Sequence, residues 1–163
     1  MEVRFSPLSP DDGKDVIDIF NYYIEHSFAA YREDPVPYEA FDAMRQRTCG
    51  YPTLGARDEK GRMLGFATLR PHNPNPSFGH TAEITYFLHP DATGQGLGEQ
   101  MLHRLIQEAR AQGITIIMAS ISGFNEGSLR FHRRHGFEEC GRFKKIGKKK
   151  GEFFDVVWMQ KNI

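Results

Sequence analysis

The chain has 163 residues and a mass of 18.7 kDa, the size of one domain with a sizeable core and too little for two comfortable ones. Lysine plus arginine equal aspartate plus glutamate at 21 each, which excludes the global field of a nucleic-acid or membrane-surface binder and points to a small partner. No apolar run approaches the ~20 residues of a membrane span, and the start MEVRFSPLSP lacks the basic and apolar parts of a signal peptide. Cys49 and Cys140 form no CxxC, so a cytoplasmic protein without a disulfide framework is expected.

Residues 3–5 read as a short strand. Ser9-Pro10-Asp11-Asp12 then supplies an N-cap, a first-turn proline and two acids suited to a helix dipole. Val16, Ile19, Phe20, Tyr23 and Ile24 recur at three- and four-residue spacing, which predicts an amphipathic helix ending near Ser27. The segment PVPYEAFDAMRQR, with Tyr38, Phe41 and Met44, predicts a second, shorter helix. TLGAR and MLGFATLR flank DEKG as an antiparallel pair. PHNPNPSFGH is too broken by proline and asparagine for regular structure, and TAEITYFL is a further strand ending at His89-Pro90.

Next comes DATGQGLGEQ at 91–100, where glycines at every second position open a helix marked by Leu97, Met101, Leu102, Leu105, Ile106 and Ala109 and stopped by Gly113. ITIIMASI reads as a strand buried on both faces, and Asn125 caps a short helix that ends at Gly136. FEECGRFKKI and EFFDVVWMQ close the chain as strands around the turn GKKKG, whose lysines read as a solvated hairpin tip rather than an RNA-binding patch. The order β-α-α-β-β-β-α-β-α-β-β predicts an α+β fold, a single domain over 1–163 with one mostly antiparallel sheet of about seven strands flanked by about four helices.

A glycine-rich entry to a helix exposes several backbone N–H donors at its positive end, an arrangement suited to phosphate oxygens; the bland alternative is a turn that needs positive φ. No Lys-Ser/Thr follows the last glycine and the strand order is not alternating βαβ, so a P-loop and a dinucleotide fold are both excluded. The strand YFLHP, the loop TGQGLG, its helix, the apolar strand and Asn125-x-x-Ser128-Leu129-x-Phe131-His132-x-x-x-Gly136-Phe137 together resemble the GNAT superfamily of acetyl-CoA-dependent N-acetyltransferases. With YPTL, GFATL, HTAE and GEFFDVVWMQ, the likeness is closest to its phosphinothricin and methionine sulfone/sulfoximine branch and covers nearly the whole chain.

That resemblance implies that Gly94, Gln95, Gly96, Leu97, Gly98 and Glu99 hold the pyrophosphate of coenzyme A. It implies further that the backbone of Tyr86, Phe87 and Leu88 pairs with the pantetheine arm, and that Asn125 contacts the coenzyme. It makes Glu83 the catalytic base, with His80 as second candidate, and puts His132 where many relatives have a proton-donating tyrosine. Against these roles stand the ordinary ones, a strand-end carboxylate facing water or paired with Arg and a satisfied helical histidine. A backbone N–H at Phe87 or Leu88 is the most economical oxyanion donor.

Phe28, Tyr31, Phe78 and Trp158 are candidates to line the acceptor pocket, though aromatics in such number more often form core. His132 and His135 form an HxxH, but no third ligand has metal-site spacing, so no metal is expected. Two departures from the branch stand out. Thr93 opens the glycine loop where Arg or Gln is usual, which predicts weaker coenzyme binding. Gly79 stands where an Arg commonly precedes the HTVE-like stretch, which questions recognition of an acceptor carboxylate unless Arg32 or Arg70 substitutes.

The implied activity is acetyl transfer from acetyl-CoA to the amine of a small amino-acid-like acceptor, in a cytoplasmic enzyme, homodimeric or monomeric, without nucleic-acid or membrane partners. The alternatives are a peptide N-acetyltransferase and a non-catalytic acyl-CoA-binding module.

Overall fold

The computed structural model describes residues 2–163. Seven strands form one sheet in the order β1-β2-β3-β4-β5-β7-β6: β1 Arg4–Ser6, β2 Thr53–Arg57, β3 Met63–Pro71, β4 Thr81–Leu88, β5 Ile116–Ser122, β6 Glu138–Lys149 and β7 Glu152–Asn162. Four helices cover it: α1 Gly13–His26, α2 Ala40–Arg47, α3 Leu97–Ala111 and α4 Glu126–Arg134. Every strand pairing is antiparallel except β4 with β5. The α+β architecture therefore agrees with the sequence expectation.

A turn of 3-10 helix at Pro10–Asp12 carries the expected cap and runs directly into α1, whose own N-cap, Asp12, makes no side-chain cap bond. The Ser9 side chain accepts from Asp11 N–H, Asp12 accepts back from Ser9 N–H, and Pro10 sits in the first turn. Val16, Ile17, Ile19 and Ile24 bury its inner face with Phe41 of α2 and Phe66 of β3, which makes one core cluster. On the opposite face of the sheet, Leu97, Met101, Leu102, Leu105 and Ile106 of α3 pack on Leu69, Ile84 and Ile117 as the second. Each such side chain contributes about 1.5–3 kcal/mol on burial, so Leu105→Ala, with its cavity, would cost about 2–5 kcal/mol.

Three local expectations change. The segment 71–80 contains a turn of 3-10 helix at Pro76–Phe78, where Asn75 accepts from Ser77 N–H and caps it. β5 alternates buried and half-buried residues, because only its α3 face is fully covered. The GKKKG segment is mostly strand: β6 runs through Lys149, and Lys150-Gly151 alone make the tip, both at positive φ.

Lys149 is the larger correction. It is fully buried, and its ammonium donates to the carbonyls of Ile24, Ser27 and Ala30, each at 2.7 Å. These oxygens belong to the end of α1 and the loop behind it, where helix carbonyls lack intrahelical partners and the macrodipole is negative, so a cation fits there. Burial pushes the ammonium pKa down. Lys150 adds a backbone donor to Glu33 Oε1 at 2.5 Å, and the hairpin tip is thereby fastened to the loop between α1 and α2.

Candidate active site

β4 and β5 pair only at Thr81–Ile116, Ala82–Ile117 and Glu83–Met118, although both strands continue. Beyond Glu83 they diverge and open a gap in the sheet. The bond from His89 N–H to Leu64 O fixes the phase of the β3–β4 ladder, so odd-numbered β4 residues turn their backbone groups to β3 and even-numbered ones face the gap. Tyr86 and Leu88 thus present backbone groups to it. Phe87, expected to do the same, is turned to β3, and its ring packs against Phe20, Tyr23 and Phe66. The Leu88 carbonyl is already held by the Tyr23 hydroxyl at 2.6 Å.

The gap leads to the glycine loop. Gly94 and Gly96 adopt φ of 74° and 77°, and a Cβ built on either would meet no atom within 4 Å. Backbone conformation, not crowding, requires glycine here, which satisfies the bland reading of the motif. Gly96 is also the N-cap of α3 and provides no side-chain cap, so the first N–H groups of the helix remain available. Thr93, Gly94, Gly96, Leu97, Gly98 and Glu99 line the cleft, whereas Gln95 turns its amide back to Asp91 O at 3.1 Å. Asn125 lines it too while its side chain accepts from Ser128 N–H and caps α4.

On the α1/α2 face of β4, Glu83 is 13% exposed in its side chain. Arg70 Nε lies 3.5 Å from one carboxylate oxygen and His72 Nδ1 lies 4.0 Å from the other. Arg70 also donates to Thr85 Oγ1 at 2.7 Å. His72 Nδ1 is buried without a hydrogen-bond partner in the protein, and its ring stands edge-on to Phe78 and Trp158. Nothing in the spacing of 71–80 marks this histidine, which reaches Glu83 only through the fold. His80, the second candidate base, is exposed and lies outside the cleft wall.

His132 lies on the other face of the same strand. It is 4% exposed, its Nε2 is 2.5 Å from the Tyr86 hydroxyl, and its Nδ1 is 2.7 Å from Ser128 O. Ser128 O can only accept, so the ring proton sits on Nδ1 and Nε2 accepts from Tyr86. Burial pushes the His132 pKa down to about 4 and raises that of the Tyr86 phenol. At neutral pH His132 is an uncharged imidazole whose one proton is tied to a helix carbonyl. That environment disfavours the expected role of proton donor.

The cleft formed by the gap, the loop and the α1–α2 connection encloses about 1740 Å³, well above the roughly 300–1,000 Å³ of a one-ligand pocket. Tyr31, Arg32, Arg70, Ser120 and Trp158 also line it, and the Tyr31 hydroxyl is 2.9 Å from Ser120 Oγ. Phe28, Phe78 and Gly79 do not line it. Phe28 packs between Phe124 and Phe154, Phe78 stands outside against His72, and Gly79 is an exposed cap of the 3-10 turn. Arg32 is exposed and makes no ion pair among the described residues.

A large cleft beside a strand that carries a carboxylate on one face, opening on bare helix amides, has room for a phosphate-bearing molecule next to a second, smaller one. The Acetyltransferase (GNAT) family matches residues 16–137, and the chain belongs to it. An L-methionine sulfoximine/L-methionine sulfone acetyltransferase of Pseudomonas paraeruginosa is 36% identical over 152 residues, covering 91% of this chain and 87% of that protein. A phosphinothricin N-acetyltransferase of Streptomyces coelicolor is 29% identical over 98% of this chain and 96% of its own. The phosphinothricin acetyltransferase of Sinorhizobium meliloti, solved in complex with AcCoA, superposes with a TM-score of 0.91 at 29% identity, covering 100% of this chain and 89% of that one.

Proposed function

We propose that the 163 residues form one domain that transfers the acetyl group of acetyl-CoA to the primary amine of a small amino-acid-like acceptor of the phosphinothricin or methionine sulfoximine type. The observation that carries this reading is the divergence of β4 and β5 beyond Glu83, directly ahead of the uncapped N-terminus of α3. The backbone of Tyr86 and Leu88 and the amides of 94–99 would hold the coenzyme, which supplies the acetyl thioester. The free helix-terminal donors and the side-chain-free loop fit its phosphates. Names of the similar acetyltransferases support the acceptor class.

Glu83 acts as base toward the acceptor ammonium from the α1/α2 face, where Tyr31, Arg32 and Trp158 surround the amine. An ammonium has one proton to lose before attack and a second after it. The first goes to Glu83 and the second is available to the departing thiolate, so the transfer balances without a proton from His132. Arg32, uncommitted at the cleft wall, is the clamp for an acceptor carboxylate in place of the missing Arg at 79. We place the enzyme in the cytoplasm; no helix among the described residues is long and apolar enough to cross a membrane. Exposed Phe143, Ile146 and Phe153 give the β6–β7 hairpin an apolar surface for a homodimer.

Thiol release from acetyl-CoA in the presence of phosphinothricin, methionine sulfoximine, polyamines and peptides tests the reading. Amino-acid acceptors should lead, and Glu83→Gln should lower their turnover by about 10²–10⁴-fold with coenzyme affinity unchanged. A variant with the parent rate would make Glu83 structural, and preference for peptides would move the enzyme to the protein-acetylating class.

A further inference from the structure

Where α3 meets the end of α4, the fold gathers Glu99 and His103 with His135, the residue that caps α4. One ligand atom from each lies within 4.8 Å of the others. Glu99 and His103 are four residues apart on one helix face, which aims both side chains at the same point. His135 Nε2 is buried and finds no hydrogen-bond partner in the protein.

His135 is also held in place. Phe131 covers its ring at 4.4 Å between centroids, the His103 ring stands edge-on at 6.0 Å, and the Lys161 ammonium donates to its carbonyl at 2.8 Å. A buried imidazole nitrogen without a partner is costly unless something else satisfies it. We infer that Glu99, His103 and His135 form a binding site for a divalent transition metal of the zinc, cobalt or nickel class, tying the first turns of α3 to the end of α4.

The donor set selects the metal. Two imidazoles and one carboxylate suit borderline cations, while magnesium and calcium prefer oxygen donors. Ligand atoms around a tetrahedral zinc, bonded at about 2.0–2.2 Å, stand roughly 3.3 Å apart, so closing the site from 4.8 Å falls to rotations of the exposed Glu99 and His103 side chains toward a held His135. Arg134, Lys161 and Arg110 stand nearby, and their charge weakens the hold on a cation. With three protein ligands and that field, the site binds less tightly than a closed four-ligand zinc site.

Although His132 and His135 share an HxxH, they diverge: His132 turns inward to Tyr86 and His135 turns outward to α3. Glu99 and His103 share an i,i+4 spacing, but His135 comes from the end of another helix, so no sequence spacing announces the third ligand.

Calorimetric titration of the full-length protein with zinc chloride, and visible absorption on titration with cobalt chloride, test the site without recourse to activity. One zinc per chain and cobalt d–d bands are expected, with no response to magnesium. His103→Ala and His135→Ala should each weaken zinc by more than the about 10–100-fold that loss of an outer-shell partner alone causes. His103 is exposed, so its variant should melt at the parent temperature without metal and reports on the ligand alone. Absence of zinc heat in the parent, or zinc affinity equal to the parent's in either variant, would overturn the assignment.

Discussion

The Tyr86 hydroxyl donates to His132 Nε2 across the gap between β4 and α4, and the ring's other nitrogen is bound to Ser128 O. Because the unfolded histidine titrates near 6.5 and the folded one near about 4, the unfolded chain takes up the proton first as pH falls. The stabilisation is complete above about pH 6.5 and is lost as pH falls through about 4, amounting to on the order of 3 kcal/mol. Thermal melts between pH 7 and 4 should therefore show a slope that His132→Gln largely removes. Turnover by His132→Gln at neutral pH should stay within about tenfold of the parent. A loss of 10²–10⁴-fold would restore His132 as the acid.

Removing the ammonium of Lys149 leaves three carbonyls at the end of α1 without their shared donor. Lys149→Met keeps most of the buried chain and should destabilise the protein by about 1–3 kcal/mol or more, measured by urea unfolding. The same loop carries Tyr31 and Arg32, so KM for the acceptor should rise while coenzyme affinity holds. An unchanged KM would confine Lys149 to stability.

Gly96 separates conformation from charge in the coenzyme loop. Gly96→Ala should cost about 1–2 kcal/mol, because its φ of 77° disfavours any Cβ, yet acetyl-CoA should still raise its melting temperature, since nothing lies within 4 Å of that Cβ. Gly96→Asp places a carboxylate among amides proposed to hold pyrophosphate and should abolish the shift. A shift of parent size in Gly96→Asp would remove the loop from the coenzyme site.

What could be read from the residues alone was what local spacing encodes. The Ser9–Asp12 cap, the apolar face of α3, the glycines before it and the Asn125 cap each depend on neighbours within a turn or two, and each stands where expected. What local spacing does not encode involves partners far apart in sequence. Lys149 meets carbonyls about 120 residues away, His72 reaches Glu83 across a strand pair, and His132 is buried against a tyrosine 46 residues earlier. A lysine inside GKKKG or a histidine inside PHNPNP has no periodic signature, since burial and partner are decided by topology. Phe28 and Phe78 illustrate the converse: aromatic character alone does not say which rings face a cleft.

Recognition of the carboxylate of the proposed acceptor would turn on which arginine faces the cleft. Gly79 is exposed on a 3-10 turn outside the wall, and Arg70 is already bonded to Thr85 and beside Glu83. Arg32, by contrast, lines the cleft without an ion-pair partner. A hydrogen bond to a charged group contributes about 1.5–3 kcal/mol, so Arg32→Ala should raise KM for methionine sulfoximine or phosphinothricin by roughly 10–150-fold with kcat nearly constant, and should barely affect an amine without a carboxylate. Arg70→Ala should lower kcat for both acceptors, because it disturbs the setting of Glu83. Gly79→Arg should leave the ratio of the two specificity constants where it was. A selective gain for the carboxylate-bearing acceptor in Gly79→Arg would bring the 3-10 turn into the acceptor site and displace Arg32 as the clamp.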